Sequence, residues 1–241
     1  MAIYVSSDFH LFHDKDFIYK ARGFNWIQEM NSAIIFNCCD TLAEDDDLYL
    51  LGDNLLGSDE NYYRGMQLLG KIPGHIHLVR GNHDTDKRWN GYKDMCNWNV
   101  VEMENAIFLK YKKYHFYLSH FPTLTANNDD DKPLKQRLIN LCGHSHATDR
   151  WMDADKGYIY HVEVDAHNLR PILLDDIIEE LKKHYTTPQV YKEEEAEYKA
   201  RLCDKCVWYC TKCWGPTLIS GPKCPDGQKY KRDPPDGGYY G

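Results

Sequence analysis

Apolar and polar positions alternate and cluster along the first 180 residues in a way that predicts strands and helices in turn. AIYVSS at 2–7 reads as an opening strand, the run at about 47–51 as a second, and GHIHLVRG as a third. AIFLKYKKYHFYLSH predicts two strands joined near Lys112-Lys113 in a hairpin. RLINLC gives a further strand, and YIYHVEVDA, which alternates plainly, predicts another. Between these, residues 15–39 place Phe17, Ile18, Phe24, Trp26, Ile27, Met30 and Ile34 at partly helical spacing. Residues 59–71 carry Met66, Leu68 and Leu69 and predict a second helix. LLDDIIEELKKHY predicts a closing helix, with Asp175 or Asp176 as its cap. In it Glu179 and Glu180 precede Lys182, Lys183 and His184, the order that favours the helix dipole. Mixed strands and helices predict a layered α/β core.

The pattern stops near residue 184. Residues 185–200 form a polar, acidic connector, and residues 201–241 turn to Cys, Gly, Pro and Tyr. The chain of 241 residues is long enough for one sizeable core, expected at 1–184, plus a small appendage at 201–241. The formal net charge of −8 argues against a protein whose main task is coating nucleic-acid backbone. It does not argue against a nuclease, since bound divalent metals would cancel part of the charge. The opening residues lack a basic region followed by a long apolar stretch, so no secretory leader is expected. No apolar run is long enough to span a membrane. The expectation is a cytoplasmic protein, in which the nine cysteines serve as free thiols or metal ligands rather than disulfides.

The candidate chemistry sits where the predicted strands end. Asp8 and His10 follow the first, Asp53 the second, and Asn82 and His83 the third. His120 follows HFYLS, and His144 and His146 follow INLC. Gly52, Gly81 and Gly143 lie beside these groups, where small residues permit tight turns. Active sites of α/β folds gather at the carboxyl ends of strands. Oxygen and imidazole donors suit divalent Mn, Fe or Zn. Two Asp, one Asn and four His are too many for one metal with an open position, and fit two metals that share a bridging carboxylate.

In order, the motifs are Asp8-Phe9-His10, Gly52-Asp53, Gly81-Asn82-His83-Asp84, a lone His120, and Gly143-His144-Ser145-His146. This set resembles the calcineurin-like metallophosphoesterase superfamily, in particular its small bacterial and phage members, and covers roughly residues 1–180. The resemblance implies a four-layer α-β-β-α sandwich and a binuclear centre with Mn favoured. It implies that Asp8, His10, Asp53 and His146 hold one metal, and that Asp53, Asn82, His120 and His144 hold the other. His83 would face the substrate without ligating metal.

The implied reaction is phosphoester hydrolysis by a metal-activated hydroxide, with the charge of the transition state held by both metals. His83 is the candidate general acid, and Asp84 the candidate partner for its ring. Arg80 and His13 are candidate phosphate contacts. By resemblance the expected activity is that of a phosphodiesterase acting on a nucleotide or another small phosphodiester. A phosphomonoesterase or a nuclease using the same site is the alternative, and a non-enzymatic adaptor is a more distant one. KRWNGYKDMCNW at 87–98 mixes basic and aromatic residues that could contact a nucleotide.

The C-terminal segment carries a separate signal. Cys203 and Cys206, then Cys210 and Cys213, form two C-x2-C pairs, and Cys224 follows. Four thiolates make a structural zinc site, so zinc is the expected occupant, with Cys224 available as a ligand because only three residues separate the pairs. An iron–sulfur cluster and unligated cysteines are the other readings. With seven Lys/Arg against four Asp/Glu, and with Trp208 and Trp214, the segment could touch nucleic acid or a partner protein. Packing against the main domain is the plainer expectation.

Overall fold

Strand β1 (Ile3–Ser6) pairs in parallel with β2 (Asp47–Leu50), and β2 with β3 (His75–Val79), so that Ser6, Leu50 and Leu78 lie side by side. The structure is a computed structural model that describes residues 1–95, 98–123, 125, 133–152 and 159–186. Strand β4 (Val100–Glu104) extends this sheet beside β3, and β9 (Ile172–Leu173) closes its other edge antiparallel to β1. A second sheet has the order β5 (Ala106–Tyr111), β6 (Tyr114–Ser119), β7 (Leu138–Cys142), β8 (Ile159–His161). In it β6, β7 and β8 run parallel and β5 antiparallel.

Side-chain alternation divides the interior in two. Leu48, Leu50, Ile76 and Leu78 join a core built with α1 (Asp16–Tyr19), α2 (Ile27–Thr41), α3 (Asp59–Leu69) and α4 (Asp86–Lys93). Val5, Tyr49, Leu51 and Val79 point the other way, into a core shared with Phe116, Leu118, Ile139, Leu141 and Tyr160 of the second sheet. Each fully buried side chain of this kind contributes about 1.5–3 kcal/mol. Helix α5 (Leu174–Thr186) buries Leu174, Ile177, Ile178 and Leu181 in that second core. The fold is therefore an α/β sandwich of helices and two mixed sheets, as expected. Among the described residues, α1 to α4 pack into the first core and α5 into the second.

Several elements differ from the sequence reading. Strand β8 stops at His161, and Val164–Ala166 forms a 3₁₀ turn where alternation predicted a longer strand. The chain there leaves the second sheet for the first: Val162 N–H donates to Cys142 O, and Val164 N–H then donates to Ser7 O. Asp175 and Asp176 lie inside the first turn of α5 instead of capping it. Helix α4 occupies most of the basic and aromatic stretch that begins at Lys87. The hairpin turn is where it was expected, with Lys112 and Lys113 at φ 48° and 72°. Two-residue hairpin turns favour this left-handed backbone even without Asn-Gly.

One compact unit spans Met1–Tyr185. The connector beyond residue 186 and the Cys-rich segment, with Cys203, Cys206, Cys210, Cys213 and Cys224, lie outside the described residues. No described helix is long and apolar enough to cross a membrane.

Candidate metal centre

Because the parallel strands end in register, their following loops emerge together. Backbone hydrogen bonds knit these loops: Asp8 N–H to Gly52 O at 3.1 Å, His10 N–H to Asp53 O at 2.9 Å, and Gly143 N–H to His120 O at 3.0 Å. Asp8, His10, Asp53, His144 and His146 all adopt positive φ, at 58°, 50°, 53°, 77° and 50°. Asp and His tolerate this region better than most residues, yet each such position costs about 1–3 kcal/mol. Five of the seven candidate ligands carry that strain, so the fold holds them in a geometry that local preference would not select.

Each carboxylate has one oxygen tethered and one left over. Asp8 is fully buried; its Oδ2 accepts from Ser7 Oγ and from His144 N–H at 2.9 Å. Its Oδ1 has no hydrogen-bond partner, and neither has His10 Nε2, which lies 3.6 Å away. Asp53 Oδ1 accepts from His83 N–H at 2.8 Å. Its Oδ2 faces His10 Nε2 at 3.7 Å, His120 Nε2 at 3.4 Å and His83 Nε2 at 3.9 Å. Buried polar atoms without partners are costly, and a cation between them would satisfy both.

Two groups have ligand atoms close enough to share an ion: Asp8, His10 and His146, and Asp8, Asp53 and His120. Asn82 Oδ1 extends the second, lying 2.8 Å from both His120 Nε2 and His144 Nδ1. His120 and His144 approach each other at 3.3 Å. His120 Nδ1–H donates to Leu51 O at 2.8 Å, which turns Nε2 toward Asp53. The donor set and the orphaned atoms fit divalent Mn, Fe or Zn.

The electrostatics agree with this arrangement. Burial alone would raise Asp8 and Asp53, but the neighbouring imidazoles hold both below the usual carboxylate range. Burial would lower His120, yet the carboxylates of Asp53 and Asp8 outweigh it and push its pKa up to about 9. His10, more deeply desolvated, is held below its ordinary value.

The structure brings the seven candidate ligands together. His83 sits at their edge, with a half-exposed side chain and its ring 5.6 Å from that of His10. Asp84 takes a different place from the one expected. Its Oδ2 accepts from Gly81 N–H at 2.8 Å and Asp53 N–H at 3.1 Å, and its Oδ1 from Tyr92 Oη–H at 3.0 Å. It fastens the loop from within instead of pairing with the His83 ring, and burial pushes its pKa up to about 6. Arg80 donates to Asp84 O and Asp86 and packs over Trp89. Arg88 of α4 donates to His83 O and Gly57 O and so supports the loop. His13 stacks on His10, with their Nδ1 atoms 2.9 Å apart, and burial beside other imidazoles lowers its pKa to about 4.

Sequence reasoning missed the buried groups behind the ligands. Arg22 and Asp165 form an ion pair against His146, and Asp165 is held well below the usual range because Arg22 and His146 outweigh its burial. Glu163 accepts from Ser145 N–H at 3.2 Å and Ser145 Oγ–H at 2.9 Å, bracing the loop between His144 and His146. Asp165 and Glu163 could have been noticed as acids placed just after a strand; Arg22 carries no such signal. A cleft of about 480 Å³ lined by Tyr4, Arg150, His167, Arg170 and Lys183, among others, contains none of the candidate ligands.

No family model matches the chain. It is 29% identical over 184 residues to an uncharacterized protein of Methanocaldococcus jannaschii, MJ1445, covering 75% of this chain and 92% of that protein. It is 26% identical over 159 residues to the gene 66 protein of Mycobacterium phage L5, covering 59% of this chain and 76% of the phage protein. Among solved structures, AQ665 of Aquifex aeolicus, a protein of unknown function, aligns with a TM-score of 0.56 at 23% identity, over 74% of this chain and 98% of that one. That likeness is one of fold. The chain is an α/β sandwich that shares its fold with AQ665 and holds a candidate binuclear metal centre where its strands end.

Proposed function

We propose that the protein is a binuclear metal-dependent phosphoesterase, acting as a phosphodiesterase on a nucleotide or another small phosphodiester. The observation that carries this reading is the placement of Asp53. One of its oxygens is tied to His83 N–H, while the other faces imidazoles from both ligand groups, the position of a bridge. Asp8, His10, Asp53 and His146 would hold one cation, and Asp53, Asn82, His120 and His144 the other. When bound, such a pair supplies Lewis-acid stabilisation of phosphate oxygens and lowers the pKa of an attacking water.

The chain's own groups do the rest. Asp8 and Asp53 are fixed through their tethered oxygens, so little reorganisation is needed as charge builds. His83 lies 3.9 Å from Asp53 Oδ2 through Nε2, with its backbone anchored to the same carboxylate and its ring half-exposed. That position suits it to hand a proton to a departing alkoxide. His13, stacked on His10 and 6.1 Å from His83, is a candidate contact for a phosphate oxygen.

The test is a screen of the Mn-loaded protein against aryl phosphate monoesters, aryl phosphodiesters, cyclic nucleotides and short oligonucleotides. Faster hydrolysis of the diesters supports the reading. A preference for monoesters or oligonucleotides would move the assignment to the phosphomonoesterase or nuclease alternative. No hydrolysis of any ester at verified metal occupancy would reject it.

A further inference from the structure

We propose that Arg22 and Asp165 are positioning residues: they set the ring of His146 with Nε2 toward the metal and tie the Asp8–His10 loop to the His144–His146 loop. The inference rests on the metal-site reading above, in which His146 is a ligand, and adds two residues that no motif marks.

The hydrogen-bond inventory leads to it. Asp165 Oδ2 lies 3.1 Å from His146 Nδ1. An ionised carboxylate can only accept, so Nδ1 carries the hydrogen and Nε2 keeps its lone pair. Nε2 is the nitrogen 4.0 Å from the orphaned Asp8 Oδ1. A carboxylate behind a ligating histidine fixes the ring's tautomer and orientation.

Asp165 is itself held by a fork. Arg22 Nε–H donates to Oδ1 at 2.8 Å and Nη2–H to Oδ2 at 2.7 Å, the two-point geometry that lysine cannot reproduce. The remaining guanidinium hydrogens reach the first loop. Nη2 donates to Asp8 O at 2.8 Å, and Nη1 donates to Phe9 O at 3.0 Å and approaches Met30 Sδ at 3.6 Å. Nη2 also lies 3.4 Å from His146 Nδ1, but its two hydrogens are already committed. Four of the five donor hydrogens of Arg22 therefore act on the carboxylate behind one ligand or on the backbone that carries another, and the fifth faces Met30 Sδ. The Arg22 side chain is 3% exposed and that of Asp165 12%.

A buried ion pair is weak support for stability, because well-packed apolar residues often serve as well. This pair is distinguished by where it points: both ends terminate on ligand loops from different sheets. A fork between the loops keeps Asp8 and His146 at one spacing, and Phe9 O and Asp8 O lie on the strained turn between β1 and His10.

The test uses the full chain and two readouts. The first needs no metal. Long-range ¹⁵N–¹H correlation spectra of the apo-protein, taken above the titration of His146, report which ring nitrogen bears the hydrogen. The wild type should show the Nδ1–H form, and Asp165→Ala should show a mixture. A wild-type Nε2–H form would overturn the proposal. The second is Mn²⁺ titration by calorimetry. Asp165→Asn and Arg22→Lys should each weaken binding at the His146 site by about 10–100-fold, leave the site of His120 and His144 near wild type, and keep an apo melting temperature that shows a folded protein. Unchanged Mn²⁺ affinity in both variants, or an equal loss at both sites, would overturn it. If the wild type binds no Mn²⁺ while its spectrum shows Nδ1–H, the metal reading fails and the clamp stands as a structural device.

Discussion

Gly143 precedes the first histidine of the His144–Ser145–His146 loop and leaves no room for a side chain. A Cβ built there would lie 1.8 Å from Ser7 Oγ and 2.2 Å from Asp8 Oδ2. Ordinary contact begins at 3.4 Å, so Gly143→Ala must move Ser7 Oγ by about 1.6 Å and Asp8 Oδ2 by about 1.2 Å, or displace the loop to the same effect. A metal site tolerates ligand displacements of only about 0.2 Å. Asp8 cannot absorb the shift quietly, because its Oδ2 is pinned by Ser7 and His144 N–H. Overpacking of this kind costs about 1–3 kcal/mol of stability. The larger effect should fall on the ligand: Mn²⁺ affinity at the Asp8 site should drop about 100-fold, at the upper end of what loss of an outer-sphere partner produces. Calorimetric titration with Mn²⁺ and apo-protein melting read the two effects separately. The double variant Ser7→Ala/Gly143→Ala removes the 1.8 Å contact but not the 2.2 Å one, so it should recover stability more than affinity. Wild-type Mn²⁺ affinity in the single variant would refute the claim that Asp8 is a pinned ligand.

Three other outcomes follow from the same geometry. His83→Ala should keep both metals and lose about 10²–10⁴-fold in turnover, most on esters with poor leaving groups; near-wild-type turnover on the least activated ester would remove His83 from the mechanism. His120 carries its extra proton in the apo-protein below about pH 9, and must lose it to bind a metal. Mn²⁺ affinity at its site should therefore rise by up to about tenfold per pH unit up to about 9, with proton release visible as buffer-dependent binding heat. The sign for stability is opposite: the folded pKa is raised from 6.5, so its contribution to the apo-protein is full below about 6.5 and is lost as pH rises to about 9. Stability rising with pH across that window in wild type but not in His120→Gln would contradict it. Finally, Cys203, Cys206 and Cys213 with Cys210 or Cys224 should bind zinc, and X-ray absorption of the zinc-reconstituted protein should show metal–sulfur scattering near 2.3 Å, about two bonds or more per metal; its absence would reject that expectation.

The convergence of the candidate ligands was legible because each follows a strand, and strand ends converge when parallel strands lie in register. Asp53 and Asn82 are 29 positions apart, yet the β2–β3 pairing puts their loops together. The roles of their neighbours were less legible. Asp84 sits beside His83 in sequence, but three donors turn its carboxylate into the loop. Arg80 ends a strand like the candidate ligands, but donates to Asp84 O and Asp86. The short reach of β8 was hidden because His161 and Glu163 alternate like a strand while serving a buried polar network beneath Ser145. Arg22 could not be read at all, since its partners lie 13, 14 and 143 positions away and are set only by the fold. Helix α4 was obscured by a polar sequence whose side chains bind neighbouring loops.

The central claim is that Asp53 bridges two cations. The most direct measurement is the Mn²⁺ stoichiometry of purified wild-type and Asp53→Asn protein, by element analysis after equilibration and removal of free metal. The substitution keeps the shape of the side chain and an oxygen for His83 N–H, but removes the charge that Oδ2 presents to His10 and His120. Two Mn²⁺ per wild-type chain are expected, one for each ligand group, with weakened occupancy of both in the variant. Two Mn²⁺ bound by Asp53→Asn at wild-type affinity would contradict it.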